Sequence, residues 1–417
     1  MRAAVIGSGI SGLAAAYYLS RFYEVTLFER AGQPGGHTHT VNVETSAGTI
    51  AIDMGFIVHN DRTYPNLVHL FSELGVATQP SDMSFGVFSR EMDFEYSSRG
   101  LGGFFAQRGN LIRRRHYGLL REILRFNKEA PRLLTEPDAS EVSMNEFLLR
   151  GNYNNHFLDH YLFPMASAVW SMPLSAMRNF PALTLVQFFA NHGMLGINTH
   201  PKWKTVTGGS STYIGRLLAP LKDRVRLGAR IRTVARDESN VTVLSEDRPP
   251  ETFDQVVFAV HGDQVLPLLE TPTEAELDIL GCFRTIPNEA CLHSDEKMLP
   301  ARLAARASWN YLLPGEASGK PTVTYHMNRL QSIPARENYC VTLNATEFID
   351  PARILRVMQF RHPVYDARAI RAQRRWGEIS GQNRTHFCGA YWFYGFHEDG
   401  LNSAIRVATT LGTRIGD

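Results

Sequence analysis

Residues 3–29 read AAVIGSGISGLAAAYYLSRFYEVTLFE, and they carry the most informative pattern of the chain. Ala3–Ile6 is short and apolar, which predicts a buried strand, and the glycines of Gly7–Gly12 follow it in the spacing GxGxxG. The pattern predicts a helix over Leu13–Arg21 and a second strand over Glu24–Glu29, which ends on an acid. A strand, glycine turn, helix, strand and acid within about 30 residues form the fingerprint of a dinucleotide-binding βαβ unit.

Each part of the fingerprint has a physical task. Gly7 permits the tight turn out of the strand, Gly9 lets a pyrophosphate approach the backbone, and Gly12 lets the helix pack against the strands. The free N–H groups and the positive end of the helix dipole would then hold the phosphates. Glu29 would accept hydrogen bonds from ribose hydroxyls, and its charge would repel a 2′-phosphate, which argues against NADP.

The same segment could also be an export signal, because Arg2 is followed by the apolar, small-residue run Ala3–Leu19. The internal pattern favours the dinucleotide site, and cleavage here would remove that site. We therefore expect the mature protein to keep the segment and to be cytoplasmic.

Composition narrows the class of protein. Of 417 residues, 44% are hydrophobic and 20% charged, which excludes a disordered chain, a collagen and a coiled coil. The 43 basic and 41 acidic residues leave a net charge of +2, so no global field favours nucleic acid. The four cysteines form no CxxC pair, and we expect no disulfide framework and no metal site.

A second glycine turn follows the acid at Gly35-Gly36, with His37 and Thr38 behind it. Here the chain resembles the flavin-containing amine oxidase and phytoene desaturase superfamily. In that family a Gly-Gly pair runs beneath the diphosphate and ribityl chain of FAD. His37 stands where the family commonly has Arg. The resemblance implies FAD as the cofactor.

The resemblance extends along most of the chain. Ile52–Phe56 resembles the family's D-x-G turn beside the flavin, and Trp203–Leu217 its Gly-Gly segment leading into a helix. Val225–Val234 resembles the strands whose backbone meets adenine, and Phe253–Val260 the strand that closes that unit. His386–Gly400, followed by a helix over Leu401–Leu411, is similar to the last flavin-binding turn, where a helix N-terminus faces the ring.

The fingerprint and the resemblance together assign a set of residues to non-covalent FAD. Covalent attachment is not expected, because Cys388, the cysteine nearest the terminal turn, lies inside a predicted strand. The assigned residues are Gly7, Gly9, Ile10, Ser11, Gly12, Glu29, Arg30, Gly35, Gly36, His37, Thr38, Gly55, Phe56, Ile231, Val260, Gly389, Gly395, His397, Glu398 and Asp399.

The resemblance also implies the architecture. The fold class is α/β, or α+β overall: a Rossmann-like FAD-binding domain of the GR2/amine oxidase type, interleaved with a substrate domain of mixed sheet plus helices. The FAD-binding domain is expected to be discontinuous, over residues 1–75, 200–265 and 380–417. Residues 76–199 and 266–379 would form the substrate-binding domain.

Several shorter strings carry a closer resemblance. Leu292–Asp295, Ser308–Tyr311, Met327–Gln331, His362–Val364 and Gly389–Trp392 resemble bacterial amine-oxidase-like FAD proteins associated with cyclopropane-fatty-acid-synthase-like methyltransferases. One such type desaturates methylated acyl chains of phospholipids on the route to furan fatty acids. The resemblance implies a fatty acyl substrate and hydride transfer to flavin N5, in a desaturation or a double-bond isomerisation, with a methyltransferase as a partner.

The region Arg113–Lys128 offers independent support for a lipid substrate. Basic residues alternate there with apolar ones at helical spacing. Such a helix can lie on an anionic membrane, which would make the protein peripheral at the inner face. The alternative is an ordinary packed helix with a solvated basic face.

The candidate catalytic residues are His397, Glu398, His59 and Tyr391, and His293 ranks second to them. No Lys is found around Ser308–Asn310, where many amine oxidases of the superfamily place one near N5, and this disfavours simple amine oxidation. Aromatic residues of the substrate segments could line an acyl tunnel or belong to the core. They are Phe104, Phe105, Phe163, Trp170, Phe188, Phe189 and Trp203.

Two alternatives remain open at this point. One is a flavin amine or amino acid oxidase. The other is a non-enzymatic lipid escort with the fold of the Rab GDP-dissociation inhibitors. The complete glycine turns argue against an escort, because a redox-silent protein has no need of every flavin contact.

Overall fold

The computed structural model describes residues 1–46, 48–137, 139, 142–196, 199–313 and 321–413. The strands are β1 (Arg2–Ile6), β2 (Glu24–Phe28), β3 (Thr40–Thr45), β4 (Gly48–Asp53), β5 (Val58–Asn60), β6 (Thr78–Pro80), β7 (Phe85–Ser89), β8 (Phe94–Ser97), β9 (Trp203–Val206), β10 (Val225–Arg226), β11 (Ile231–Arg236), β12 (Val241–Ser245), β13 (Glu251–Phe253), β14 (Gln255–Phe258), β15 (Arg284–His293), β16 (Trp309–Leu312), β17 (Thr322–His326), β18 (Cys340–Leu343), β19 (Ile354–Val364) and β20 (Thr385–Phe387). The helices are α1 (Ile10–Leu19), α2 (Pro65–Glu73), α3 (Gly100–Phe104), α4 (Arg114–Glu129), α5 (Met144–Arg150), α6 (Asn155–Phe157), α7 (Phe163–Trp170), α8 (Leu174–Met177), α9 (Ala182–Asn191), α10 (Ile214–Leu218), α11 (Glu274–Leu280), α12 (Met327–Leu330), α13 (Ala367–Gln373), α14 (Trp376–Ile379) and α15 (His397–Thr410).

A five-stranded parallel sheet, in the order β10-β2-β1-β14-β20, forms the nucleotide-binding half. Its centre is apolar on both faces, since Ala3 and Val5 on one face and Ala4 and Val256 on the other are fully buried. Parallel sheets require cover on both faces, and α1 and α15 supply part of it. The predicted βαβ unit is therefore present.

Helix α1 begins at Ile10 rather than at the predicted Leu13. Gly9 is the N-cap residue, with extended backbone angles, so the second half of the glycine motif belongs to the first turn of the helix. The N–H groups expected to hold phosphate consequently stand at a true helix N-terminus.

A seven-stranded mixed sheet, in the order β19-β15-β18-β17-β16-β7-β8, forms the other half. Only the β7–β16 pair is parallel among its described strands. The side chains of Tyr311 and Val323 on this sheet share one apolar core with Phe126, Phe157 and Leu185 on the helices. The helices thus cover one face of the sheet and close a space between sheet and helices.

The two large sheets draw on different parts of the chain. The parallel sheet uses strands from residues 2–28, 225–258 and 385–387, and the mixed sheet uses strands from 85–97 and 284–364. A small sheet, β5-β9-β6, is built from residues 58–60, 78–80 and 203–206, which lie outside both of these sets. The domain boundaries given above stay a prediction.

The last helix, α15, begins at His397, four residues before the predicted Leu401. The Asp399 carboxylate accepts the backbone N–H of Phe396 at 2.9 Å, so an acid in the first turn closes the helix start. His397 and Glu398 therefore lie inside the helix rather than in a preceding turn.

In the part of the chain that the structure describes, no helix combines the length and apolar character needed to cross a membrane. The described residues also contain no group of three or more His, Cys, Asp or Glu side chains that could hold a metal ion.

Candidate functional site

One large cavity, of about 1580 Å³, runs between the two halves of the molecule. At one end it meets the glycine turn after β1, and at the other end it reaches α3 and α4. Of the residues assigned to the cofactor, many line this cavity: Gly7, Gly9, Ile10, Ser11, Glu29, Arg30, Gly36, His37, Gly55, Phe56, Ile231, Val260, Gly389, Gly395 and His397.

The glycine turn is built for close approach. Gly7 has a φ of +101°, and a Cβ on Gly12 would stand 1.8 Å from the Gly7 carbonyl oxygen. Any side chain at position 12 would therefore collide with backbone. A Cβ on Gly9, in contrast, would meet no protein atom within 4 Å, so its backbone faces open space at the cavity wall.

The Glu29 carboxylate already organises this turn. It accepts the backbone N–H of Ser8 at 2.9 Å, the Ser8 hydroxyl at 2.5 Å and the Ala31 N–H at 2.8 Å. An acid at the end of β2 is thus held beside the glycine turn, where a ribose of a bound dinucleotide would lie.

Three histidines meet beneath the second glycine turn. The ring of His37 lies 5.3 Å from that of His362 and 6.0 Å from that of His261, and all three line the cavity. Burial lowers the pKa of His37 well below its usual value and that of His362 to about 4, so both rings are neutral at physiological pH. The buried Nε2 of His37 has no hydrogen-bond partner among the described residues.

His397 is held rigidly at the start of α15. Its Nε2 lies 2.5 Å from the Tyr213 hydroxyl, and its ring stacks on Phe56 with 3.8 Å between centroids. Burial, assisted by His59, lowers the pKa of His397 to about 3. Because its Nε2 is engaged by the Tyr213 hydroxyl and its ring is held against Phe56, the geometry favours a positioning role over proton abstraction.

Tyr391 lines the cavity among the rings of Phe283 and Trp392, at 4.7 and 5.1 Å. Burial raises the pKa of its phenol far above the usual value, so it stays protonated and could only donate a hydrogen bond.

The other residues proposed from the sequence lie outside the main cavity. Gly12 and Gly35 pack against backbone, and the Thr38 hydroxyl lies 2.5 Å from that of Tyr213. His59 is 1% exposed, packs against Phe71 and does not line the cavity. These positions support the site from behind its wall.

Glu398 is engaged elsewhere in the structure. Its two carboxylate oxygens accept the backbone N–H groups of Asn66 and Leu67, each at 2.9 Å. These donors belong to the start of α2, whose N-cap residue Tyr64 offers no side-chain acceptor. Glu398 therefore caps a helix and does not line the main cavity.

A smaller side cavity, of about 340 Å³, lies next to the main one. Glu398 and Asp399 line it, and it shares Tyr64, Phe188 and His192 with the main cavity. His293, the second-ranked candidate, lies in neither cavity, because its Nε2 pairs with the Thr342 hydroxyl at 2.7 Å inside the mixed sheet.

The aromatic residues proposed for a tunnel divide into two groups. Phe104, Trp170, Phe188 and Trp203 line the main cavity, whereas Phe105, Phe163 and Phe189 do not. The pattern of the sequence could not separate the groups, because core and cavity wall use the same residue types.

Two functional candidates gave no signal in the sequence. The Tyr365 hydroxyl, at the cavity wall, is buried without a partner in the described chain. A Cβ on Gly395 would stand 2.6 Å from this hydroxyl, so only glycine fits there beside it. The Nδ1 of His192 lies 2.9 Å from the Phe188 carbonyl oxygen, which makes it the donor and leaves Nε2 as an acceptor at the wall.

Charge is distributed unevenly along the cavity. The acids of its wall, Glu29, Glu246 and Asp263, all lie at or near the parallel sheet. Between residues 83 and 203, and again between 309 and 365, the described lining residues include no Asp, Glu, Lys or Arg. The cavity thus joins a polar, glycine-lined end to an uncharged chamber.

The residues at the polar end fit FAD. Gly9 offers open backbone at the N-terminus of α1, which has no side-chain cap, and this is the donor set that a pyrophosphate requires. The volume exceeds the roughly 300–1,000 Å³ of a typical ligand pocket, which leaves room for a second molecule. None of the four cysteines lines the cavity.

Solved structures share this fold across almost the whole chain. Wild-type putrescine oxidase is 16% identical with a TM-score of 0.71 and 99% of both chains covered. The CLA-producing fatty acid isomerase from P. acnes is 16% identical with a TM-score of 0.68 and 98% of both chains covered. Cyclohexylamine oxidase from Brevibacterium oxydans IH-35A is 14% identical, with a TM-score of 0.68 and 99% of both chains covered.

Residues 10–282 match the family model described as flavin containing amine oxidoreductase. This match covers more than half of the chain, and the fold continues the likeness to the end. The cofactor is FAD, and the protein is an oxidoreductase rather than an escort. The chain belongs to the flavin-containing amine oxidoreductase family.

Proposed function

We propose that this enzyme oxidises a long, mostly apolar substrate, and that the substrate is a fatty acyl chain. The observation that carries the proposal is the uncharged chamber, whose described wall has no ionisable Asp, Glu, Lys or Arg over residues 83–203 and 309–365. An apolar chain gains free energy on entering such a chamber, at roughly 25 cal/mol per Å² buried.

An amine substrate would need different surroundings. A buried ammonium group requires a carboxylate partner or loses its charge, and the chamber offers none among its described residues. The fold leaves the choice open, because putrescine oxidase and the fatty acid isomerase resemble this chain to nearly the same degree. The composition of the wall therefore supports the acyl chain.

The chemistry divides between cofactor and protein. FAD, when bound, supplies an acceptor for the hydride that leaves a substrate carbon. The helix start at His397 and the neutral rings of His37 and His362 would position the cofactor. Aromatic side chains such as Trp170 and Phe188 would hold the acyl chain and exclude water.

A proton must also leave the substrate in a desaturation. His192 has its acceptor nitrogen at the chamber wall, and its pKa of about 4, lowered by burial, keeps it unprotonated near pH 7. We propose His192 as the acceptor in place of Glu398 and His59, which do not reach the main cavity.

The narrower form of the proposal comes from the closer sequence resemblance. It names a methylated or unsaturated, phospholipid-linked chain, a desaturation or double-bond isomerisation, and a methyltransferase as partner.

Anaerobic mixing tests the proposal. The oxidised enzyme is mixed with phospholipid carrying branched monounsaturated chains and, in parallel, with amines, and the flavin absorbance is followed. We expect bleaching by the lipid only, and mass spectrometry of the chains then separates desaturation from isomerisation. Bleaching by amines alone would refute the acyl substrate.

A further inference from the structure

The uncharged chamber reaches the surface between α3 and α4. Leu101 on α3 and Leu124 on α4 both line the cavity and are 72% and 45% exposed. The two helices meet there, since the ring of Phe104 lies 4.2 Å from that of His116. Leu101 and Leu124 therefore mark an entrance to the chamber.

Other apolar side chains are exposed around this entrance. Leu111 is 52% exposed, Ile112 87% and Tyr117 48%, and Tyr117 donates its hydroxyl to the Leu111 carbonyl oxygen at 3.0 Å. Single exposed apolar residues are common, but a group at a cavity entrance indicates an interaction surface.

The same surface is strongly basic. Arg108, Arg113, Arg114, Arg115, Arg121 and Lys128 are exposed, and no ion pair engages them within the described residues. Between residues 98 and 128 the only acid is Glu122, which is buried and paired with Arg125 at 2.7 Å. Glu129 at the end of α4 and Asp93, which accepts from Gln107, lie next to this stretch, and basic residues remain in clear excess.

We infer that this α3–α4 face docks on an anionic lipid bilayer and admits acyl chains from it directly into the chamber. Apolar side chains among cations are the arrangement that enters a membrane interface, with the arginines bound to lipid phosphates. An acidic protein would satisfy the charges but would leave Ile112 and Leu101 without an apolar partner at the entrance. The admission of chains rests on the proposed function, whereas the docking does not.

Flotation with vesicles tests the docking without any turnover. The FAD-loaded protein is mixed with vesicles of phosphatidylcholine, with and without phosphatidylglycerol. We expect binding to the anionic vesicles only, and a loss of binding at 1 M salt, where the Debye length is about 3 Å. Absence of binding to anionic vesicles would overturn the inference.

Matched charge variants locate the binding surface. The triple variant Arg114→Gln, Arg115→Gln, Arg121→Gln should weaken binding about 100-fold, at about fivefold for each charge near the surface. The control removes three exposed arginines, one on β11, one on α13 and one just after α13, as Arg232→Gln, Arg368→Gln, Arg374→Gln, and should bind like the unaltered protein. If both triple variants lost vesicle binding to the same extent, binding would not depend on the α3–α4 face.

A second variant tests the contribution of the exposed apolar side chains of the α3–α4 face. Leu111→Ser with Ile112→Ser alters exposed side chains, so folding should be preserved, and binding should fall about tenfold. If this variant binds vesicles normally while heparin competes fully with them, the surface is a polyanion site and the inference fails.

Turnover then separates docking from the proposed function. Compared with the unaltered protein, the triple arginine variant should oxidise acyl chains held in vesicles more slowly. Its oxidation of chains dispersed in detergent should be affected less. A protein that floats with vesicles but oxidises no acyl chain in either form would retain the docking inference and refute the acyl substrate. An equal effect on both forms of substrate would refute chain entry from the bilayer.

Discussion

At the scale of single residues, Glu398 has a structural task that its place in the sequence does not reveal. It accepts two backbone N–H groups at the start of α2, which has no other side-chain cap. In sequence it was indistinguishable from a catalytic acid, because its partners lie more than 300 residues away.

Glu398→Gln should therefore lower stability and leave the flavin in place. Glutamine keeps one acceptor oxygen and loses the other, and its charge no longer complements the helix dipole, which together cost about 1–2 kcal/mol. Urea unfolding measures the loss, and Glu347→Gln, at an exposed position, is the matched control. Loss of flavin bleaching with unchanged stability would instead make Glu398 a catalytic group.

Asp399 gives the stability of the protein a distinct pH dependence. Burial, with a smaller contribution from Glu398, raises its pKa to about 7, against about 3.9 in the unfolded chain. Between these values the folded state keeps a proton that the unfolded state has released. The contribution of Asp399 is therefore fully present below about pH 4 and is lost as the pH rises to about 7.

Asp399→Asn removes this dependence, since the amide oxygen can still accept the Phe396 N–H but does not titrate. Relative to that of the unaltered protein, the free energy of unfolding of the variant should rise by on the order of 2–4 kcal/mol as the pH increases from 4 to 7. Urea midpoints at pH 5 and pH 8 measure the difference. If the two proteins differed in stability by the same amount at pH 5 and at pH 8, Asp399 would be ionised in the folded protein at both pH values.

At the scale of elements, the β1–α1 turn separates two tasks of glycine. Gly12 allows the helix to pack on the turn, because a Cβ there would stand 1.8 Å from a carbonyl oxygen. Gly9 leaves open space at the helix N-terminus, and no protein atom would oppose a Cβ. The motif is read as one unit in the sequence, but its glycines serve packing and cofactor binding separately.

Gly12→Ala should lower both thermal stability and flavin content, since the turn must shift to admit the methyl group, at about 1–3 kcal/mol or more. Gly9→Ala should keep the fold and lose flavin only. Thermal unfolding followed by circular dichroism measures stability, and the ratio of flavin to protein measures cofactor binding. If Gly9→Ala retained full flavin, the phosphates would lie elsewhere.

The sequence predicts the amphipathic pattern of helix α4, but it does not give the exact first and last residues of the helix. In the sequence, Leu111–Leu133 is a helical region whose end Pro131 interrupts, and the structure has the α-helix over Arg114–Glu129 between two 3₁₀ turns. Pro131 prevents the α-helix from continuing, because its ring removes a backbone donor and crowds the preceding turn. The predicted amphipathic character is present, but only the structure places its apolar side chains at a cavity entrance.

At the scale of the whole molecule, the chamber between sheet and helices sets the length of substrate that fits. Met165 on α7 lies in its wall and is 9% exposed. A larger side chain there would take up space that the far end of a long chain needs.

Met165→Trp should raise KM for long acyl chains about tenfold or more and should alter KM for short chains little, as expected from burial of several methylene groups at about 0.8 kcal/mol each. Met92→Trp, at an exposed turn outside the cavity, is the matched control. Flavin content reports whether the variant folds, and Val169→Phe is a milder alternative. An equal effect on all chain lengths would place the substrate elsewhere.

The family, the cofactor and the nucleotide-binding half can all be predicted from short stretches of the chain. The first βαβ unit, with its glycine turn and Glu29, lies within 30 residues. The local pattern of residue types is therefore sufficient to predict it. Segments that bind a dinucleotide also carry characteristic glycines, because only glycine permits the close approach of backbone.

Tertiary structure alone decided which polar side chains face the cavity. His59, Glu398, Tyr365 and His192 could not be sorted in advance, since the cavity wall that separates them is assembled from residues far apart in the chain. The uncharged wall likewise assembles from residues 83–203 and 309–365, and its lack of charge exists only after folding brings them together. The physical reason is that a cofactor site is encoded in local backbone geometry, whereas a substrate chamber is the space left between packed elements.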